Sequence, residues 1–272
     1  MPSASVIIPF KNEQNHLPLL LKCISDSLQY YSDIEVILVN NCSVDKSPEI
    51  ARNFVGLAAC AAKVIDATPA NRSVARNQGA KVATSNLLIF MDADCTFKPE
   101  SMKNLISEMQ NLDSLCALQG KFDLDRLHNH LSKNFLDTKC VAVRLDAFNA
   151  VDGFDQSLTR CEDIDFSWKL SKCNLQFGIS NQALFSRSAP NSLVNSMLRG
   201  VATGRALVAL HKKWGVVEQY SVLKLMRGFI DIGMRELNRT ARISSAYSKI
   251  CLLADNITTL VCYLFYRIIY RF

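Results

Sequence analysis

The ten cysteines of this chain include no CxxC pair, no Gly-, Ser- or Pro-rich linker interrupts it, and no apolar run is long enough to cross a bilayer. Each absence narrows the possibilities. Without paired spacing, the cysteines read as reduced, mostly buried small hydrophobes in a cytosolic protein. Met1-Pro2-Ser3-Ala4 leads directly into Ser5-Val6-Ile7-Ile8-Pro9, so no signal peptide is read and a cytoplasmic location is expected. His16, His128 and His130 lack metal-ligand spacing, and His211 reads as a surface or capping residue. Missing too is the interleaving of aromatic and basic residues used by single-strand binders, so no nucleic-acid partner is expected. Without a linker, the expectation is one domain over residues 1–198 with a basic, helical extension over 199–272.

What is present suits a single large core. The 272 residues are 49% hydrophobic and 8% aromatic, which argues against disorder. The net charge of +6 is uneven: from Arg199 onward there are 12 basic and 4 acidic residues, net +8, against −2 for the rest. Such a stretch could meet anionic lipid, nucleic acid or phosphate-bearing substrates, or be a solvated face. In the tail from Ile250, Asp255 and Arg267 bound the stretch Ile257 to Tyr266, well short of the roughly twenty residues a span needs. Its tyrosines and flanking Arg267 and Arg271 suit a peripheral position at the inner face of a membrane. Packing back on the domain, or pairing with another subunit as a homo-oligomer, is the alternative.

Apolar runs alternate with segments of helical period. Ser5 to Pro9, Ile34 to Val39, Lys63 to Ile65 and Leu87 to Met91 read as strands. Leu17, Leu20, Leu21, Ile24 and Leu28 mark a helix between the first two, and Ser47 as cap with Pro48 at the first position opens the next. Ser73 to Ala83 and a segment from Pro99 carrying Met102, Leu105, Ile106 and Met109 complete a βαβ series, which predicts a parallel sheet. Beyond residue 112 the rhythm changes: Leu115 to Phe122 and Lys139 to Val143 read as strands, Gly153 as a turn, Asp163 to Lys172 as a helix and Asn174 as its left-handed end.

The strand Leu87 to Met91 runs into Asp92-Ala93-Asp94, and about seventy residues on comes Glu162-Asp163-Ile164-Asp165. Ligand chemistry in open α/β sheets sits beyond the carboxyl ends of strands. There Asp92 and Asp94 can hold a hard divalent cation, Mg²⁺ or Mn²⁺, that grips a phosphate. A solvated turn, and acidic residues meeting a helix dipole, are the plain structural alternatives for the two clusters.

From Ser5 to about Arg205 the chain resembles family 2 glycosyltransferases of the GT-A fold. The resemblance rests on Val6-Ile7-Ile8-Pro9-Phe10-Lys11-Asn12-Glu13, Val39-Asn40-Asn41-Cys42-Ser43-Val44-Asp45, Ala75-Arg76-Asn77-Gln78-Gly79, Asp92-Ala93-Asp94, Gly153-Phe154-Asp155 and Glu162-Asp163-Ile164-Asp165-Phe166, in family order. It implies an α/β fold with a mostly parallel central sheet flanked by helices, and a nucleotide-diphosphate sugar donor. It places Pro9, Asn12, Glu13, Asn40, Asp45 and Arg76 around the base and ribose, with Asp92 and Asp94 on metal and diphosphate. Breaking a sugar–diphosphate bond leaves charge that a metal stabilises, and the hydroxyl acceptor must lose a proton, so a separate carboxylate serves as base. Asp163 is the choice, with Glu162 next. Members with this motif invert the anomeric carbon.

Two departures stand out. Asn40-Asn41 replaces a frequent Asp-Asp, and Phe185-Ser186-Arg187-Ser188 occupies a region where many relatives carry a metal-contacting His, so Arg187 reads as a diphosphate contact or a solvated arginine. Asp92-Ala93-Asp94-Cys95-Thr96 also fits the Asp-x-Asp-x-Thr of haloacid-dehalogenase-like phosphatases, with Asp92 as nucleophile, though several βα segments precede it and that family usually carries the motif on its first strand. A non-catalytic nucleotide-sugar binding module is the third reading.

Overall fold

A computed structural model describes residues 2–122, 135–187, 193–214 and 257. The first half builds β1 (Ala4–Phe10), α1 (Leu17–Ser27), β2 (Ile34–Asn40), α2 (Ser47–Leu57), β3 (Ala61–Asp66), α3 (Arg72–Lys81) and β4 (Leu87–Met91). β1 and β4 are buried throughout, hence their continuous apolar runs. Their side chains alternate between two cores. Val6, Ile8 and Phe10 join Leu17, Leu20 and Ile24 of α1 on one face, whereas Ile7, Ile37 and Val39 join Ala75 and Ala80 of α3 on the other.

The strands lie β3-β2-β1-β4, all parallel. The chain therefore steps outward from β1 to β3 and then crosses back to the far side of β1. At that reversal the carboxyl ends of neighbouring strands open a crevice. Pairing of Phe10 with Asn40 ends β1 and β2 level there, and β4 ends one residue past the pairing of Ile7 with Phe90, at Met91.

The second half adds β5 (Cys95–Phe97), α4 (Pro99–Asn111), β6 (Ala117–Phe122), β7 (Cys140–Arg144), α5 (Leu145–Ala150), α6 (Glu162–Lys172) and β8 (Phe177–Arg187). β7 runs antiparallel to β4 and β6, β8 parallel to β6, and β5 antiparallel to the end of β8. The sheet is thus parallel in its first half and mixed beyond. The three-residue β5 is too short to show a period, and only its pairing with β8 makes it a strand. Ser47 departs from its expected role as cap. The residue ahead of the helix is Lys46, and the Ser47 hydroxyl instead donates to Asp45 at 2.6 Å and accepts from the Glu13 N–H at 2.7 Å.

The chain divides into two units, Met1–Ser188 and Ala189–Phe272. The boundary expected at 198/199 falls inside α7 (Leu193–Trp214), a continuous helix of the second unit. Among the described residues no helix is long and apolar enough to cross a membrane. His128, His130 and, Ile257 apart, the tail from Ile250 lie outside the described residues. The described cysteines are all unbridged.

Gly79 seats α3 on the sheet: a Cβ there would stand 2.4 Å from Ile7 Cγ2 and 3.1 Å from Val39 Cγ2. Both neighbours are β-branched and stiff, so neither can swing aside. Gly79→Val is expected to destabilise by about 1–3 kcal/mol through overpacking, read as a lowered midpoint in urea or thermal unfolding. An unchanged midpoint would show that α3 does not depend on this close approach.

Candidate active site

The loops after β1 and β2 form one hydrogen-bonded unit. Asn12, at φ 57°, donates its N–H to Ser43 Oγ at 3.1 Å and accepts from the Val44 N–H at 2.9 Å. Asp45 accepts from the N–H groups of Gln14 at 3.0 Å and Ser47 at 2.9 Å. The side chains of Asn12 and Asp45 thus brace the loops against each other. Asn40 likewise donates to Asp66 at 2.7 Å and accepts from the Ser43 N–H at 2.9 Å, tying β2 to β3. The next residue faces the ligand space instead: Asn41 is buried, and its amide oxygen meets no donor among the described residues.

A cleft of about 320 Å³ opens at these strand ends, a volume toward the small end of ligand sites. Pro9, Phe10, Lys11, Glu13 and Asn41 line it from β1 and β2, Asp92 to Asp94 from the end of β4, and Ala70 to Arg72 with Thr159 and Arg160 from the segments leading into α3 and α6. Asp92 and Asp94 share it with Glu13. Burial raises the Glu13 pKa, and the charges of Asp94 and Asp92 push the same way, against a hydrogen bond from His16. An oxygen-only donor set under mutual repulsion suits a hard divalent cation. Among the described residues no three His, Cys, Asp or Glu are placed to hold a metal unaided. Two carboxylates completed by substrate phosphates is the usual way Mg²⁺ is held, so the pair fits.

Arg76, expected around the base and ribose, lies beneath the cleft surface. It is fully buried and absent from the cleft lining. One guanidinium nitrogen contacts Asp92 Oδ1 at 2.8 Å and the other Glu162 Oε1 at 2.7 Å, while its carbon sits 5.4 Å over the Phe154 ring. Burial opposes the charge, yet Asp92 and Glu162 hold its pKa above the ordinary value. The ring beneath is fixed by Asn77, whose amide donates to the Phe154 carbonyl at 2.8 Å and accepts from its N–H at 3.0 Å.

Glu162 and Asp163 open α6 directly after Cys161, which holds φ 59°. Glu162 is buried; Asp163 is half-buried and accepts from the Ile164 N–H at 2.8 Å. Burial first, then the charges of Glu162 and Asp137, push the Asp163 carboxyl up to about 7, against that hydrogen bond and Arg76. At the other edge, the Arg187 backbone pairs with Cys95, next to Asp94; its side chain lies outside the described residues.

A family model, Glycosyl transferase family 2, matches residues 5–189. The chain belongs to this family. It is 34% identical over 143 residues to a 4,4'-diaponeurosporenoate glycosyltransferase of Staphylococcus haemolyticus (strain JCSC1435), covering 49% of this chain and 36% of that protein. It is 34% identical over 111 residues to the uncharacterized glycosyltransferase EpsJ of Bacillus subtilis (strain 168), covering 40% and 31%. The matches thus span about a third of these relatives' length. Among solved structures, the mannosyltransferase PcManGT from Pyrobaculum calidifontis, in complex with GDP-Man and Mn²⁺, superposes at TM-score 0.71 and 14% identity over 98% of this chain and 88% of that one. S. aureus TarS 1–349 in complex with UDP-GlcNAc gives 0.56 and 16% over 97% and 91%. The fold is GT-A, and membership of family 2 sets the phosphatase reading aside.

Asn41, and not its neighbour Asn40, lines the cleft, as do Arg72 and Arg160, which the motifs did not single out. Nothing in sequence spacing distinguishes which of two adjacent asparagines turns inward, and the two arginines belong to no motif. For the buried arginine, Arg76→Ala leaves two carboxylates without their shared partner. It is expected to cost about 3–5 kcal/mol in urea unfolding. A double-mutant cycle with Glu162→Gln should show coupling of about 0.5–3 kcal/mol; additive losses would mean that the bridge contributes nothing of its own.

Proposed function

We propose that this family 2 glycosyltransferase is metal-dependent and inverting, moving a sugar from a nucleotide diphosphate to an acceptor hydroxyl. The observation that carries the reading is the Arg76 bridge, which holds Asp92 and Glu162 one guanidinium apart and so ties the helix start that carries Asp163 to the end of β4. Asp92 and Asp94 would hold Mg²⁺ or Mn²⁺. When bound, the cation would neutralise charge on the departing diphosphate. Asn41, with its unpartnered amide oxygen at the β1–β2 wall, suits an N–H of the nucleotide base.

Asp163 takes the proton of the acceptor hydroxyl as its oxygen bonds to the anomeric carbon and the bond to the diphosphate breaks on the opposite side. One displacement gives inversion, with no enzyme nucleophile. A base poised near 7 is matched to this task, since a substantial share is ionised at neutral pH and it is still basic enough to accept a proton. That PcManGT is solved with GDP-Man and Mn²⁺, and TarS with UDP-GlcNAc, supports a nucleotide-sugar donor and a divalent cation.

Because the base must be ionised, kcat/KM should rise with pH along a limb near 7 and then level off. The stability linkage has the opposite sign. A carboxyl raised from its ordinary 3.8 to about 7 favours the protonated folded state, so its stabilisation is full below about pH 4 and is lost as pH rises through 7. Asp163→Asn should abolish transfer, keep donor binding, and gain stability relative to the wild type across that window. Retained activity would remove Asp163 from the mechanism. Thermal shifts with UDP-, GDP- and dTDP-sugars should show one nucleotide class stabilising the wild type only with Mn²⁺, by about 2.7 kcal/mol at 100 times Kd. Asp94→Ala should lose that metal-dependent increment; normal metal-dependent binding would overturn the metal assignment.

A further inference from the structure

Two arginines in the cleft are not used by the proposed reaction. Arg72 and Arg160 line it together with Asp92 and Asp94, and Arg72 also reaches Glu162, the neighbour of Asp163, at 3.8 Å. Their placement is built rather than incidental. Asn71 caps α3 by accepting from the N–H groups of Ser73 at 2.7 Å and Val74 at 3.3 Å. Its amide nitrogen meanwhile donates to the carbonyls of Gln156 at 2.9 Å and Leu158 at 3.3 Å, and the Ser73 hydroxyl adds a bond to Leu158 at 3.4 Å. These bonds fasten the segment leading to Thr159 and Arg160 onto the start of α3, so the two guanidinium groups share one wall.

Arg72 and Arg76 stand one helical turn apart and meet the same oxygen. Arg76 holds Glu162 Oε1 from within at 2.7 Å, and Arg72 approaches it from outside at 3.8 Å with half of its side chain exposed. The Glu162 charge is therefore already met by the inner arginine. The outer one lines the cleft, and Arg160 precedes Asp163 by three residues. Planar forks of this kind suit phosphate and carboxylate groups, which accept two parallel hydrogen bonds.

We infer that the acceptor is anionic, carrying a phosphate ester or carboxylate close to the hydroxyl that is glycosylated, and that Arg72 and Arg160 bind that group. The inference rests on the transferase reading with Asp163 as base. The donor's diphosphate is met at Asp92 and Asp94 through the cation, whereas the arginine pair stands on the wall where the acceptor must approach.

The test titrates three small probes into the purified protein by calorimetry: glycerol 3-phosphate, glycerate and glycerol, each with and without a saturating nucleoside diphosphate and Mn²⁺. One of the two anionic probes should bind at least about tenfold tighter than glycerol, the scale of a charge-assisted hydrogen bond, and which of them does so separates phosphate from carboxylate. The double variant Arg72→Gln/Arg160→Gln should erase that preference while nucleotide affinity stays within about twofold. Arg72→Lys/Arg160→Lys, keeping charge without the fork, should retain part of it, and its melting curve checks folding. Equal binding of all three probes would overturn the inference. So would a loss of nucleotide affinity in the Gln variant as large as the loss of probe affinity, since the arginines would then serve the donor. If no nucleotide binds at all, the donor reading fails, and the probe preference still decides the acceptor question.

Discussion

Everything around the cleft depends on one buried cation. Arg76 has no exposed surface, and a charge so placed is tolerable only with partners of opposite sign at hydrogen-bonding distance. It finds Asp92 at the end of β4 and Glu162 at the start of α6, segments seventy residues apart in sequence. The pairing fixes the distance between two carboxylate clusters that would otherwise repel. An aromatic floor of Phe90, Phe148, Phe154 and Phe166 lies under it, with ring centroids 4.7 to 5.8 Å apart. The guanidinium thus links the hydrophobic core to the site.

The same economy appears in the strand-end loops. Polar side chains that read as ligand contacts, Asn12, Asn40 and Asp45, hold loop to loop and strand to strand. What they position is a short set of groups left facing the cleft. Negative charge gathers at Asp92, Asp94 and Glu13, where a divalent cation would relieve the repulsion; positive charge gathers at Arg72 and Arg160. A cleft with both signs of charge on separate walls orients a bound molecule as well as attracting it.

Much of the fold was legible in the chain. β1, β2 and β4 announce themselves because strands buried on both faces are unbroken apolar runs, and α1 and α4 because their buried residues recur at helical spacing. β5 was not legible: Cys95–Phe97 has no period, and its strand character comes from hydrogen bonds to residues 185–187. Nor was the inner end of β8, where Gly120 lets the Phe185 ring close over the backbone beside the register shift in β6.

By itself the sequence determined the chemistry on offer: two carboxylates after a buried strand, a second pair at a helix start, and an order of motifs that resembles one family. Residue type and local period suffice for that, because they act between neighbours in the chain. Tertiary structure decided the placement. Whether Asn40 or Asn41 lines the cleft, whether Arg76 stands in the cleft or locks two carboxylates beneath it, and whether Arg72 and Arg160 line the same cleft all turn on contacts between distant segments. Burial and Coulomb interaction depend on distance through space, and no spacing along the chain encodes that.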